Sequence, residues 1–280
     1  MLKRTITSAV LIALFIPVLI YSDTYALPLL FSLVGTVILF EVFRCTGDIK
    51  YNFALIPVYI TALILPPAIR YMIINYTVEK CVVLCFFIAL LLCLYLFALT
   101  LFKIKNFTYE NAARIFLFTF YIVNGLGAIV IARMLPPYGA FDYLLIFFGA
   151  WITDTFCYFG GFCFGKHKLA PVISPKKTVE GAVSGVIFCT LFFIFYGVVI
   201  QSASPVRSNL VLLSVCGFIC GIFAQVGDLI FSAVKRRYAT KDFGNILPGH
   251  GGMADRFDSV LGIAPILLII SYFLDFFISV

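Results

Sequence analysis

The chain has 280 residues, of which 63% are hydrophobic and 12% charged, with a mean hydropathy of +1.11. A water-facing surface draws on about a quarter of charged residues, so a soluble fold is excluded and lipid must cover much of the molecule. The net charge of +7 has its first explanation in topology, because Lys and Arg gather in cytoplasmic loops, and it calls for no nucleic acid partner.

Windows of about 20 apolar residues are long enough to cross a bilayer as helices. Nine are predicted: Thr5 to Tyr21, Thr24 to Phe43, Phe53 to Ile73, Cys81 to Phe102, Ala112 to Met134, Tyr143 to Phe164, Gly181 to Ile200, Leu210 to Val234 and Ser259 to Val280. The expectation is an all-α integral membrane protein. The first window follows Lys3 and Arg4 but lacks a good small-residue cleavage site at Ser22 to Ala26, so it is read as an uncleaved span. The third holds Pro57, Pro66 and Pro67 and is expected to kink or break. With the N-terminus cytoplasmic and the C-terminus outside, every Lys and Arg except Arg70, Lys80, Arg133 and Arg207 falls on the cytoplasmic side. The nine cysteines lie mostly inside apolar runs, with no zinc or redox spacing, and read as small packing residues of a reduced protein.

No repeat or low-complexity linker divides the chain, so residues 1–280 are read as one membrane domain. Residues 1–134 form a hydrophobic scaffold half, and 135–280 a catalytic half with cytoplasmic loops at 165–180 and 235–258. Those loops are dense in Gly, Lys, Asp and Ser, the residues that bind and close on ligands. Gly181 with Gly185, and Gly217 with Gly221, have the spacing that lets membrane helices approach closely.

Several polar residues sit where an apolar helix does not accommodate them without a purpose. Asp154, between Thr153 and Thr155, is in the middle of the sixth window and requires a polar cavity or a partner. The segment Gly160 to His167 nearly matches a phosphate-binding Gly-x4-Gly-Lys-Ser/Thr loop. His167 replaces the hydroxyl residue and no strand precedes it, so that match is rejected. Ser174-Pro175-Lys176-Lys177-Thr178 offers paired ammonium groups and hydroxyls, either a triphosphate clamp or a basic cluster at a helix start.

Asp228, Ser232 and Lys235, spaced i, i+4, i+7, line one helical face with a carboxylate, a hydroxyl and an ammonium; an internal Asp228 to Lys235 salt link is the alternative. Glycines at 249, 251 and 252 around His250 permit close approach of amides to phosphate. Asp255 and Asp258, three apart with Arg256 between them, supply oxygen-only ligands suited to magnesium, or simply acids at a helix N-terminus. Two histidines, His167 and His250, are too few and too far apart to suggest zinc.

Ser232-x-x-Lys235-Arg236, Lys241-Asp242 and Leu247-Pro248-Gly249-His250-Gly251-Gly252-x-x-Asp255-Arg256-x-Asp258 together resemble the signature of the phosphatidate cytidylyltransferase family. Ser174 to Gly181 resembles its SPKKTxEG motif. The resemblance implies a nine-helix bacterial-type enzyme, commonly a homodimer; with the loop placement given by Lys and Arg, the expected location is the inner (plasma) membrane with the active site facing the cytoplasm. It implies CTP and phosphatidic acid as substrates, CDP-diacylglycerol and pyrophosphate as products, and Mg2+ as cofactor with a second cation, potassium (K+) in the family.

Carried over by position, Asp228 and Asp255 are the metal-site carboxylates and Lys235 a substrate-phosphate contact. In the resulting scheme Asp258 supports the cations or holds a metal-bound water, while Arg236 and Arg256 join Lys235 in offsetting phosphate charge. Ser174, Lys176, Lys177, Thr178, Ser232, Lys241, His250, Gly251 and Gly252 are the expected substrate-binding residues. A CTP-dependent polyprenol or dolichol kinase and a secondary transporter are the alternatives, the latter because intramembrane Asp154 and Asp228 could relay ions.

Overall fold

The computed structural model describes residues 13, 15–247, 249 and 251–279, with the side chain of Lys105 left aside. Most of the first predicted span, from Thr5, lies outside these residues, as do Lys3, Arg4 and His250. Among the described residues eight helices are long and apolar enough to cross a membrane, so the chain is an all-α integral membrane protein.

The helices are α1 (Ala26–Thr46), α2 (Asn52–Asn75), α3 (Val78–Leu101), α4 (Tyr109–Met134), α5 (Gly139–Phe164), α6 (Val179–Ala203), α7 (Leu210–Arg237) and α8 (Ala254–Phe273). Each overlaps its apolar window and extends or retracts from it by a few residues. The last departs most. The predicted ninth span, Ser259 to Val280, starts earlier as α8 and stops at Phe273; Phe277–Ser279 is instead a strand, β4, paired antiparallel with β3 (Val206–Ser208). Apolar residues on both sides of Asp275 hide such an ending, because hydropathy does not distinguish a short strand from one more helical turn.

The chain divides into two compact units. One holds the chain up to Met134 together with Tyr238–Asp255, and the other holds Leu135–Arg237 and Arg256–Val280. In the first unit α1, α2 and α4 pack on one another and α3 packs on α2 and α4. The most apolar stretch of α4 is 72% buried and that of α3 only 22%. α4 is therefore central, and α3, the most hydropathic helix, is left to lipid.

Of the expected kink or break, the break does not occur: α2 runs unbroken through all three prolines. The reason lies in its neighbours. Pro57 deprives Phe53 O of its helical donor, and the Tyr95 hydroxyl donates to that oxygen at 2.7 Å; Pro67 deprives Leu63 O, which accepts from Ser32 Oγ at 2.7 Å. Near the start of α4, Thr108 and Asn111 cap each other reciprocally, N–H to side-chain oxygen in both directions. Asp48, buried after α1, accepts two bonds from the Arg114 guanidinium, at 2.6 and 2.5 Å, and a third from Thr46 Oγ1.

In the second unit α6 packs against both α5 and α7. The glycine spacings act as predicted: a Cβ on Gly181 would come within 2.6 Å of Cys157 O on α5, and one on Gly217 within 2.9 Å of the Thr190 backbone on α6. α7 and α8 meet backbone to backbone at Gly227 and Gly262. Between α5 and α6 the predicted loop 165–180 is a hairpin, with β1 (Lys168–Ala170) antiparallel to β2 (Ser174–Thr178). His167 and Glu180 close its base. The imidazole Nδ1 lies 2.6 Å from Glu180 Oε1, and the Lys166 and His167 amides donate to the same carboxylate.

Candidate active site

The residues singled out by sequence fall into two groups, one in each unit.

In the second unit they gather where α5, β2, α7 and α8 converge. Asp228 is central to this group. Its Oδ2 is 2.6 Å from Lys177 Nζ, and its Oδ1 accepts from Ser232 Oγ at 3.1 Å, one turn further along α7. Both members of the ion pair remain partly accessible, with side-chain exposures of 20% and 25%. The partner of Asp228 thus comes from the hairpin, and the alternative of a salt link to Lys235 two turns away gives way to it. Asp154 stays exposed in the middle of α5 and accepts from Ser259 Oγ at 3.1 Å. Asp258 is buried, with its Oδ1 accepting from the Ser259 amide at 2.9 Å.

Asp154, Asp228 and Asp258 lie within electrostatic reach of one another, with Lys177 and Arg256 near the first and Lys235 near the last. Three carboxylates on apolar helices repel strongly unless cations compensate them. Gathering acids with ammonium and guanidinium groups in this way makes a region of mutually compensated charge.

The hairpin explains how Lys177 reaches Asp228. Successive side chains of a strand point to opposite faces, so Lys177 turns inward, half-buried, while Lys176 is exposed. The two lysines do not form a side-by-side clamp. Thr178, expected to touch substrate, is buried and caps α6: its hydroxyl accepts from the Gly181 amide at 3.1 Å. Ser174 pairs with Ala170 across the hairpin, and Arg236 Nε donates to Ile173 O at 3.0 Å, tying the end of α7 to the hairpin turn. The rejected phosphate-loop match begins in the last turn of α5 and runs past its end at Phe164.

In the first unit the group is the segment between Arg237 and α8. Gly249 and Gly251 have φ of +78° and +83°, a left-handed conformation that side-chain-bearing residues rarely adopt. Leu247 N donates to Gly251 O at 3.1 Å across this turn. Asp255 Oδ2 accepts the amides of Phe243, at 3.0 Å, and of Gly252, at 3.1 Å. Asp255 therefore organises the glycine turn with one oxygen. Lys241 is exposed on the same segment. Both Asp255 and Asp258 are helical, since α8 begins at Ala254.

Sequence reasoning passes over Glu41, a fully buried carboxylate of α1 whose Oε2 accepts from the Ala254 amide at 2.9 Å. The signal is present, because an ionisable residue inside an apolar window is a functional marker by default. The pairing of Lys177 with Asp228 has no such signal, since it depends on the hairpin.

Among the described residues no three His, Cys, Asp or Glu side chains are gathered in an arrangement that would hold a metal ion. The donors themselves are all hard oxygens, the type that suits a divalent cation keeping waters and bridging phosphates. Asp228 is engaged on one oxygen by an ammonium and on the other by a hydroxyl. In this structure Lys177 supplies the positive charge on Asp228.

The family described as cytidylyltransferases matches the chain over residues 2–274. The chain is similar to the phosphatidate cytidylyltransferase of Bacillus subtilis (strain 168), 39% identical over 180 residues, which is 64% of this chain and 65% of that protein. It is also similar to the phosphatidate cytidylyltransferases of Staphylococcus haemolyticus (strain JCSC1435), 46% identical over 127 residues, and Staphylococcus aureus (strain COL), 44% over 130. Those two alignments each cover 45% of this chain and 47% of the relative, so the match spans between about half and just under two thirds of the curated relatives' length.

Proposed function

Because the chain belongs to the cytidylyltransferase family, we propose that it transfers a cytidylyl group from CTP to phosphatidic acid, forming CDP-diacylglycerol and releasing pyrophosphate. The observation that carries this reading is the Lys177 to Asp228 pair, 2.6 Å apart and beside Asp154 and Asp258. The names of the Bacillus and Staphylococcus relatives support it.

A phosphate monoester has a second pKa of about 6, so at neutral pH phosphatidic acid is largely a dianion and needs no strong general base. One of its oxygens attacks the α-phosphorus of CTP in line. A new P–O bond forms there, the bond from the α-phosphorus to the bridging oxygen of the β-phosphate breaks, and pyrophosphate carries that electron pair away. Catalysis then rests on positioning and on neutralising charge.

Lys177 holds Asp228 neutralised until a triphosphate competes for its ammonium. Ser232 keeps Asp228 oriented throughout by its hydroxyl. Lys235, Arg236 and Arg256 offset phosphate charge, and Lys176, on the outer face of the strand, attracts the nucleotide at longer range. Magnesium would supply further charge neutralisation on the phosphates; the family resemblance is what points to Asp228 and Asp255 as its ligands and to Asp258 as a support. The crowding of Lys and Arg into loops expected on one side of the membrane, together with the bacterial relatives, supports an inner-membrane enzyme whose site faces the cytoplasm.

The test is incubation of purified protein in detergent with phosphatidic acid, magnesium and CTP labelled at either the α or the γ phosphate. Label from the α position entering the lipid, with pyrophosphate released, is the expected result. Label entering from the γ position would mean phosphoryl transfer and overturn the proposal, as would no lipid label from either while a control enzyme is active.

A further inference from the structure

Glu41 takes no part in the reaction described above, yet it occupies the most costly kind of position a carboxylate can have. It lies in α1 between Phe40 and Val42 with no exposed surface. Burying a carboxylate is costly unless hydrogen bonds compensate it, and in Glu41 the one that does comes from backbone. Its Oε2 accepts the Ala254 amide at 2.9 Å, while its buried Oε1 has no hydrogen-bond partner.

Ala254 is the first residue of α8. A helix start exposes unpaired N–H groups and a partial positive charge, which a carboxylate satisfies on both counts. Glu41 therefore caps α8 from a different helix.

The contact continues along one face of α1. Arg44 Nη2 donates to Phe243 O at 3.3 Å, and Cys45 Sγ is 3.3 Å from Thr240 Oγ1. Positions 41, 44 and 45 have the i, i+3, i+4 spacing of one helical face. The same segment is pressed onto Glu41 by two close approaches: a Cβ on Gly244 would overlap the carboxylate, and one on Gly252 would come within 2.6 Å of Oε2. Phe243 and Gly252 are also the two residues whose amides Asp255 accepts.

We propose that Glu41 is a positioning residue which, with Arg44, latches the 240–254 segment to α1 and so holds Asp255 in its working orientation. The inference rests on the reading of Asp255 as a site carboxylate, and its test separates the two. Full-length wild type, Glu41→Ala, Glu41→Gln and Gly244→Ala, purified in detergent, are compared for kcat and KM with CTP and for hydrogen exchange over residues 240–255.

Misplaced catalytic groups cost about 10²-fold in rate, so Glu41→Ala is expected to lose about that factor in kcat with KM for CTP changed by less than about threefold. Its 240–255 amides should exchange faster. Glu41→Gln keeps an acceptor for the Ala254 amide and should restore most of kcat, whereas Gly244→Ala should lower it by displacing the carboxylate. A merely structural role would instead lower the thermal midpoint and the active fraction while leaving kcat per active site unchanged, and that result overturns the proposal. So does wild-type kcat or wild-type exchange in Glu41→Ala; if that variant does not fold, Gly244→Ala with wild-type kcat and exchange overturns it equally. A wild-type protein that forms no CDP-lipid while Glu41→Ala still loosens 240–255 would count against the reaction and leave the latch standing.

Discussion

Two carboxylates, one in each unit, sit on apolar helices and are held in opposite ways. Asp228 is bound by side chains, the Lys177 ammonium and the Ser232 hydroxyl, and keeps a quarter of its side-chain surface open. Glu41 has no open surface and is bound by the backbone amide of Ala254 at the start of α8. Side-chain partners rotate through staggered rotamers and can be traded for a ligand; backbone amides move only if the chain refolds locally. The first arrangement suits a group that must exchange charge with a substrate, and the second suits a group that must hold a loop still.

The largest effect should follow from making Asp228 unable to carry charge. Asp228→Asn keeps shape and one acceptor for Ser232 but loses the ion pair, and turnover measured with α-labelled CTP is expected to fall on the order of 10³-fold while helical circular dichroism is retained. Activity near wild type would remove Asp228 from the chemistry.

Lys177→Met should come next, with a loss of about 10²-fold, since it strips the only cation paired with Asp228 among the described ion pairs. Lys176→Met, on the opposite face of the same strand, should cost only a few-fold, and that cost should vanish as salt screens it. Equal losses at the two positions would mean that β2 does not hold its observed facing when substrate binds.

Much of this is legible in the amino-acid sequence. Eight of the windows appear as helices because a bilayer-length apolar run has few other solutions. The carboxylates and lysines of the second unit stand out because a charge in such a run needs a reason. The hairpin does not. Ser174 to Thr178 contains a proline, two lysines and two hydroxyl residues, with none of the apolar alternation that announces a strand. The division of labour between Lys176 and Lys177 is therefore hidden, and with it the cap made by Thr178. Continuity of α2 through Pro57 and Pro67 is equally invisible, because it depends on Tyr95 and Ser32 arriving from other helices.

Ser232→Ala tests the comparison more finely. The hydroxyl orients Asp228 without carrying charge, so removing it should cost about 1 kcal/mol of orientation, read as a loss of turnover of about five- to tenfold with the Lys177 pair intact. A loss as large as that of Asp228→Asn would make Ser232 a direct ligand.

Thr178 gives the smallest effect and divides the two kinds of holding within a single strand, since it follows Lys177 directly. Its hydroxyl accepts the Gly181 amide and its side chain is buried beside Gly161 and Gly165, which is backbone holding of the Glu41 type. Thr178→Ala should lower stability by about 1 kcal/mol, the usual cost of losing such a cap, and Thr178→Ser should recover most of it. Both are measurable as shifts in the thermal midpoint in detergent. KM for CTP should stay within about twofold in either variant, because a hydroxyl committed to an amide is not available to phosphate. If Thr178→Ala instead raises KM several-fold at unchanged stability, the hydroxyl leaves its cap when the nucleotide binds, and the N-terminus of α6 becomes part of the exchangeable region around Asp228.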